Sequence, residues 1–407
     1  LSANSINENE VANSTVGTFS STDPDAGNTF TYTLTTGTGD TDNASFSISG
    51  NSLRITNSPD FETKSSYSVR IRSTDQGSLT YDKVFTITIN DLNETPTNIS
   101  LSASAINENV VTNSSVGTLS TTDPDAGNTF TYTLEAGAGD TDNASFNISG
   151  SSLRFTGSPD FETKSSYSVR VRTTDQGSLY YEKTFTITIN NVNETPTDIT
   201  LSANSIDENV AGNSTVGSLS TTDPDAGNTF TYTLVAGAGD TDNASFNISG
   251  SSLRITNSPS FETKSSYSVR VRTTDQGSLT FDKVFTINII DLNEVPTDIA
   301  LSASSINENV TANSIVGALS STDQDAGNTF TYTLVAGAGD TDNNSFSVND
   351  NDLRIASSPD YETKSSYSVR VRSTDQGSLY FEKTFTISIN NVNEIPTITA
   401  SQSFSID

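Results

Sequence analysis

The chain has 407 residues, of which 49 are acidic and 20 basic, giving a formal charge of −29; such a surface argues against nucleic acid or an anionic membrane as a partner and favours cations. It contains no Cys and no His, which excludes disulfides, thiolate metal sites and thiol nucleophiles and removes the usual general base and zinc ligand. No apolar run approaches the roughly 20 residues that a membrane-crossing helix needs.

The sequence repeats with a period of 100 residues, so that Leu1, Leu101, Leu201 and Leu301 are equivalent, as are Asp25, Asp125, Asp225 and Asp325. Four repeats are expected at 1–94, 95–194, 195–294 and 295–394, and residues 395–407, ending TITASQSFSID, read as the first strand of a fifth. That ending, together with the absence of Met, marks the chain as an internal or processed piece of a longer protein.

Within the first repeat, Val16 and Phe19 suggest a short strand. In NTFTYTL, Phe30, Tyr32 and Leu34 alternate with threonines, the period of a strand with one buried face. Phe46 and Ile48, then Leu53 and Ile55 beyond a turn, read as a hairpin. Tyr67, Val69 and Ile71 alternate with Ser68, Arg70 and Arg72; Phe85, Ile87 and Ile89 alternate with Thr86, Thr88 and Asn90; Ile99 and Leu101 open the next repeat. No segment carries helical spacing. About seven short strands per repeat, punctuated by Gly, Asn, Asp, Ser and Pro, describe an all-β chain of two-sheet antiparallel sandwiches. Its core holds no Trp.

All basic residues of the first repeat are Arg54, Lys64, Arg70, Arg72 and Lys83, and the same five positions supply all 20 in the chain. Arg70 and Arg72 share the outward face of a strand, where pairing with nearby carboxylates is expected.

Acidic clusters recur in each repeat: Glu8 in INEN, Asp23 and Asp25 in DPDAGN, Asp60 and Glu62 in PDFET, Asp75 in TDQG, and Asp91 with Glu94 in DLNE. Each alone suits a turn, because Asp and Asn bond local backbone N–H groups. Together they fall at strand ends, so the poles of successive sandwiches would meet across a short linker stiffened by Pro96. Carboxylates gathered without a basic neighbour repel one another, and a hard divalent cation relieves this. Calcium suits best, since it accepts about six to eight oxygens in loose geometry.

These segments, in this order in every repeat, resemble the calcium-binding motifs of cadherin repeats, and more closely the bacterial cadherin-like repeats of very large surface proteins. The resemblance covers essentially the whole chain and implies Ig-like Greek-key sandwiches with Ca2+ at each junction. It would place ions at the first junction on Glu8, Asp60, Glu62, Asp91, Asn93 and Glu94 together with Asp123, Asp125 and Asp175. The second junction would use Glu108, Asp160, Glu162, Asn193 and Glu194 with Asp223, Asp225 and Asp275. The third would use Glu208, Glu262, Asp291, Asn293 and Glu294 with Asp323, Asp325 and Asp375. Asn191 and Asn391 replace the aspartate of Asp91 and Asp291, and Ser260 replaces that of Asp60, so the second and third junctions should bind more weakly than the first. The loop GDTDNASF, with Asp40, Asp42 and Asn43, reads instead as structural.

The resemblance implies an extracellular, non-catalytic role: a calcium-stiffened stalk or fibre segment of a bacterial adhesin, serving attachment, biofilm formation or gliding. Its partners would be calcium, neighbouring repeats of the same chain and identical chains in a fibre. The alternative is that the repeats themselves bind polysaccharide or self-associate into a filament, although the absence of Trp counts against a sugar platform.

Overall fold

The computed structural model describes residues 1–397, so the expected fifth-repeat strand lies, apart from its first three residues, outside the described residues. Contacts divide the chain into two compact units, Leu1–Val192 and the remainder from Asn193. In the first unit the strands are β1 (Ser5–Asn7), β2 (Thr15–Thr18), β3 (Phe30–Leu34), β4 (Phe46–Ser49), β5 (Ser52–Ile55), β6 (Ser66–Asp75) and β7 (Thr80–Asn90). They continue as β8 (Asn98–Leu101), β9 (Ala105–Asn107), β10 (Ser115–Thr122), β11 (Thr131–Leu134), β12 (Phe146–Ser149), β13 (Ser152–Phe155), β14 (Ser166–Thr174) and β15 (Tyr180–Asn190). The second unit repeats the β8–β15 set twice, from Asp198–Leu201 to Thr280–Ile290 and from Asp298–Leu301 to Tyr380–Asn390.

Each repeat is a sandwich. In the second, one sheet runs β12-β13-β10-β8 and the other β11-β14-β15-β9. Alternation along β14 and β15 sends Val169, Val171, Ile187 and Ile189 inward against Leu153 and Ile99, and all of these are essentially buried. Phe146 packs edge-on against Tyr167, with ring centroids 5.9 Å apart. Most pairs are antiparallel, but β9 runs parallel to β15, with Ala105 opposite Thr188 and Asn107 opposite Asn190. This parallel pair carries the chain out of β9 directly into the INEN motif beside the end of the last strand.

A bulge at Val116 shifts the β10–β13 register between Ser115 and Gly117, turning both Val116 and Gly117 inward. A Cβ on Gly117 would lie 2.7 Å from the Ala103 carbonyl oxygen, so the close approach of the β8–β9 connection needs glycine there.

At one edge the first repeat lacks a counterpart of β8, because the sequence begins at Leu1, the equivalent of Leu101. β10 runs to Thr122 because β8 pairs with its far half, Ile99 opposite Thr121. The equivalent β2 stops at Thr18. Beside it a groove of about 560 Å³, lined by Phe19, Tyr32, Ile71, Tyr81 and Phe85, occupies the place that β8 fills in the second repeat. Leu79 is accordingly 76% exposed, against 37% for Leu179.

The acidic GDTDNASF loop is structural, as its turn chemistry suggests. Asp42 accepts the Ser68 N–H at 2.8 Å and pairs with Lys64, whose ammonium also lies over the Tyr67 ring. Burial pushes the Asp42 carboxyl up, but Lys64 and the Ser68 amide outweigh it and hold the group below its ordinary value. Asn43 bridges the Thr35 carbonyl and the Arg70 N–H, each at 2.9 Å. Those bonds wind Asn43–Ser45 into one 3-10 turn, the kind of element that a search for helical periodicity passes over. Arg70 and Arg72 both reach Asp82 across the β6–β7 ladder, at 3.0 and 2.7 Å, which accounts for the outward arginine pair. Among the described residues no helix is long and apolar enough to cross a membrane.

Candidate metal centre

Glu8 follows β1 and is 1% exposed. Its Oε2 accepts the Phe61 N–H at 2.9 Å and its Oε1 the Leu92 N–H at 2.7 Å. One carboxylate therefore ties the PDFET loop to the exit of the last strand. The same pair of bonds recurs at Glu108 to Phe161 and Val192, at Glu208 to Phe261 and Leu292, and at Glu308 to Tyr361 and Val392. Asn9, in a left-handed conformation with φ 60°, donates from its side chain to Glu94 at 2.9 Å. Asn9 belongs to the INEN motif, and its positive φ favours Asn over most residues.

Around Glu8 the first unit gathers Glu62, Asp91 and Asp125, with one oxygen from each within 4.8 Å of the others. Asp125 arrives from the loop after β10 and accepts the Glu94 N–H at 2.7 Å, while its own N–H donates to Asp123 at 3.0 Å. Asn93 donates to Asp175 at 2.9 Å, and Asp175 is buried where Asp75 is only half-buried. Thus Glu8, Glu62, Asp91, Asn93, Glu94, Asp123, Asp125 and Asp175 converge on one linker.

No ion pair among the described residues reaches Glu8, Glu62, Asp91, Asp123 or Asp125 within 4 Å. Asp123 Oδ2 and Asp125 Oδ1 are buried with no hydrogen-bond partner, an arrangement that costs free energy unless a cation is present. The electrostatics agree: burial, then the Asp125 and Glu8 charges, push Asp91 up. Burial likewise raises Glu62, with Glu8 and Glu94 adding to it. Asp123 is raised by burial and by Asp125 and Asp175, against the opposing Asp125 N–H. Every available donor is oxygen, the set that hard divalent cations accept. The residues present fit such an ion.

In the second unit, Asn193 donates to Asp275 at 2.8 Å, the Glu194 N–H to Asp225 at 2.7 Å, and Asp223 Oδ2 is buried without a partner. Further along, oxygens of Glu208, Glu262 and Glu294 lie within 4.8 Å of one another, as do those of Glu262, Asp291 and Asp325. Asn293 reaches Asp375 at 2.9 Å and Asp323 Oδ2 has no partner. Burial, with Asp325 and Glu208 beside it, pushes Glu294 up to about 7.

Asp60 and Asp160 stand apart from these groups. Asp60 accepts both the N–H and the hydroxyl of Thr63, each at 2.8 Å, and those two bonds lower its pKa. Asp160 makes the same pair with Thr163, at 2.8 and 3.0 Å. Ser260 keeps the turn with its hydroxyl, which accepts the Thr263 N–H at 3.1 Å. Position 60 and its equivalents thus cap a turn, a task that a serine performs.

Two curated relatives, Protocadherin Fat 4 of Homo sapiens and of Mus musculus, are each 29% identical to this chain over 96% of its length. The aligned stretch is about 8% of either relative. No protein-family profile matches. Among solved structures, the extracellular cadherin domains 1-5 of protocadherin gamma B2 superpose over 96% of this chain and 79% of that one, with a TM-score of 0.65 at 19% identity. The protocadherin gammaB7 EC3-6 cis-dimer structure covers 95% and 98% with a TM-score of 0.65 at 20% identity. The fold is a tandem array of cadherin-like sandwiches. Mouse cadherin-23 EC22-24 matches 74% of the chain with a TM-score of 0.52 at 20% identity.

Proposed function

We propose that this chain is a calcium-stiffened stalk segment of an extracellular adhesion protein, of the kind that bacterial surface adhesins use to hold a binding tip away from the cell in attachment, biofilm formation or gliding. The observation that carries the reading is the buried, partnerless oxygen of Asp123, Asp125, Asp223 and Asp323 at the linkers between sandwiches. Calcium bound there by Glu8, Glu62, Asp91, Asp123 and Asp125, and by their equivalents, converts mutual repulsion into a bridge between consecutive repeats. Extracellular modules with such ligand sets bind calcium with Kd of roughly 10⁻⁴ to 10⁻³ M, which suits an extracellular setting. The repeats vary little in sequence, as extension requires and recognition does not. The domains align with extracellular cadherin domains, which supports the location, and no nucleophile–base pair from Cys or His exists to suggest catalysis.

Small-angle scattering of the chain in millimolar calcium and again in excess chelator, at matched ionic strength, tests this. A profile of a stiff particle that becomes flexible on chelation is the expected result. An unchanged profile would mean that the carboxylates are turn residues alone, and the stalk reading falls.

A further inference from the structure

Asn-x-Ser/Thr triplets, the acceptor sequence for an N-linked sugar, recur along the chain. The fold treats them unequally. Transfer to a folded chain needs a free side-chain nitrogen, an exposed hydroxyl two residues on, and a backbone segment outside the sheet ladders, where it can enter an enzyme.

Most of the triplets fail on the nitrogen. Asn43, Asn143, Asn243 and Asn343 donate theirs to the backbone carbonyls of Thr35, Glu135, Val235 and Val335 at 2.9 to 3.0 Å. Asn93 and Asn193 donate to Asp175 and Asp275, and Asn309 to Glu394. Asn147 and Asn247 donate to the side-chain oxygens of Asn113 and Asn213, each at 2.8 Å. Asn98 lies in β8, laddered opposite Thr122, and its oxygen is held by Lys183.

One position passes, and it is the same in the first three repeats: Asn13-Ser14-Thr15, Asn113-Ser114-Ser115 and Asn213-Ser214-Thr215. A tight turn precedes the strand here, closed by the Ser14 N–H on the Val11 carbonyl at 3.1 Å, with its equivalents at Ser114 and Ser214. Asn occupies the third place of that turn with φ of 69°, 63° and 66°, a left-handed conformation that Asn tolerates. All three Asn side chains are exposed, as are Thr15, Ser115 and Thr215, the first residues of their strands. The Asn13 side chain has no hydrogen-bond partner among the described residues, while Asn113 and Asn213 engage only their oxygens. Val11 and Val111 of the same turn are 73% and 78% exposed, apolar surface that an attached sugar would cover. The fourth repeat keeps the turn, with Asn313 at φ 67°, but Ile315 stands where the hydroxyl should be.

We propose that Asn13, Asn113 and Asn213 are acceptor sites for an N-linked sugar, delivered to the folded chain from a nucleotide sugar. The asparagine Nδ2 bonds to the anomeric carbon as the bond from that carbon to the diphosphate oxygen breaks. The nucleotide leaves with the electron pair of the broken bond, and the amide proton passes to a base of the transferase. Each of the first three sandwiches then carries a neutral, hydrated group at the same turn, and the fourth carries none. This assignment goes beyond the stalk reading and does not depend on calcium.

The test is to incubate the purified, folded full chain with a soluble asparagine-glycosyltransferase and UDP-glucose, and to map the modified residues by mass spectrometry. A tryptic digest of the same chain, given the same enzyme, serves as the unfolded control. Hexose is expected on Asn13, Asn113 and Asn213 of the folded chain, with Asn43, Asn143 and Asn93 modified only in the digest. Thr15→Ala should remove the hexose at Asn13 alone. Ile315→Thr, which installs the residue that the first and third repeats carry at an exposed position, should add one at Asn313. Hexose spread over Asn43, Asn143 and Asn93 in the folded chain would overturn the selection by the fold. A folded chain left bare at Asn13, Asn113 and Asn213 while its digest is modified there would overturn the assignment itself.

Discussion

Glu108 is the residue whose replacement separates two roles that a cation cluster tends to merge. Its carboxylate is buried and accepts the Phe161 N–H and the Val192 N–H, each at 2.7 Å. Glu108→Gln keeps the volume, but the amide nitrogen must face one of the two N–H donors and leaves it without an acceptor. A hydrogen bond to a charged group contributes about 1.5–3 kcal/mol, and an orphaned donor costs about 1–3 kcal/mol. Because both amides are only part-buried, the lower halves apply, and the loss comes to roughly 2.5–4 kcal/mol. In a domain of this size that lowers the midpoint of melting by on the order of 10 °C. The experiment belongs in chelator, where a residue that served only as a cation ligand would be neutral, or its replacement would even stabilise by removing a charge. Hydrogen–deuterium exchange should show faster exchange at Phe161 and Val192 while Leu153 in the core remains protected. Unchanged exchange at those two amides, with an unchanged midpoint, would refute the bolt assigned to Glu108.

Two further outcomes follow from the sandwich itself. Asp282 is held at about 2 by its bonds to Arg272, which outweigh burial, and to Arg270. Because its folded pKa lies below the ordinary carboxylate value, its contribution is complete above about pH 4 and is lost as pH falls toward 2. The stability of wild type should therefore drop more steeply over that window than that of Asp282→Asn, as chemical denaturation at stepped pH would reveal. Gly117→Val should destabilise the second repeat by about 1–3 kcal/mol through the contact with the Ala103 carbonyl, whereas Gly127→Val, where nothing lies within 4 Å of a Cβ but φ is +84°, should act through backbone strain alone; denaturant midpoints compare the two.

Much of the fold was legible because a period of two is a local property. Phe30, Tyr32 and Leu34, or Tyr67, Val69 and Ile71, declare their strands without reference to anything else in the chain. The convergence of Glu8, Glu62, Asp91 and Asp125 was legible because strand ends must gather at poles. What lay beyond reading was the division of labour among carboxylates. Asp60 and Glu62 are two residues apart and equally acidic, yet Thr63 engages Asp60 while Glu62 turns to the cluster; only the turn's coordinates distinguish them. The bonds from Glu8 to residues 61 and 92 depend on sequence separations of 53 and 84, which no motif encodes. The parallel β9–β15 pair was hidden for a similar reason, since three residues are too few to announce a partner.

That parallel pair also determines how a repeat meets tension. Past β8, the chain runs through β9 and leaves through β15, side by side and pointing the same way. A pull on the two ends therefore slides the strands along each other, and the bonds from Ala105–Thr188 to Asn107–Asn190 are strained together instead of opening singly like a zip. Pulled at β6 and β7, whose antiparallel hairpin ends meet at Asp75 and Thr80, the same fold would peel one rung at a time. The direction of the short strand beside the last one thus sets the mechanical grip of each sandwich.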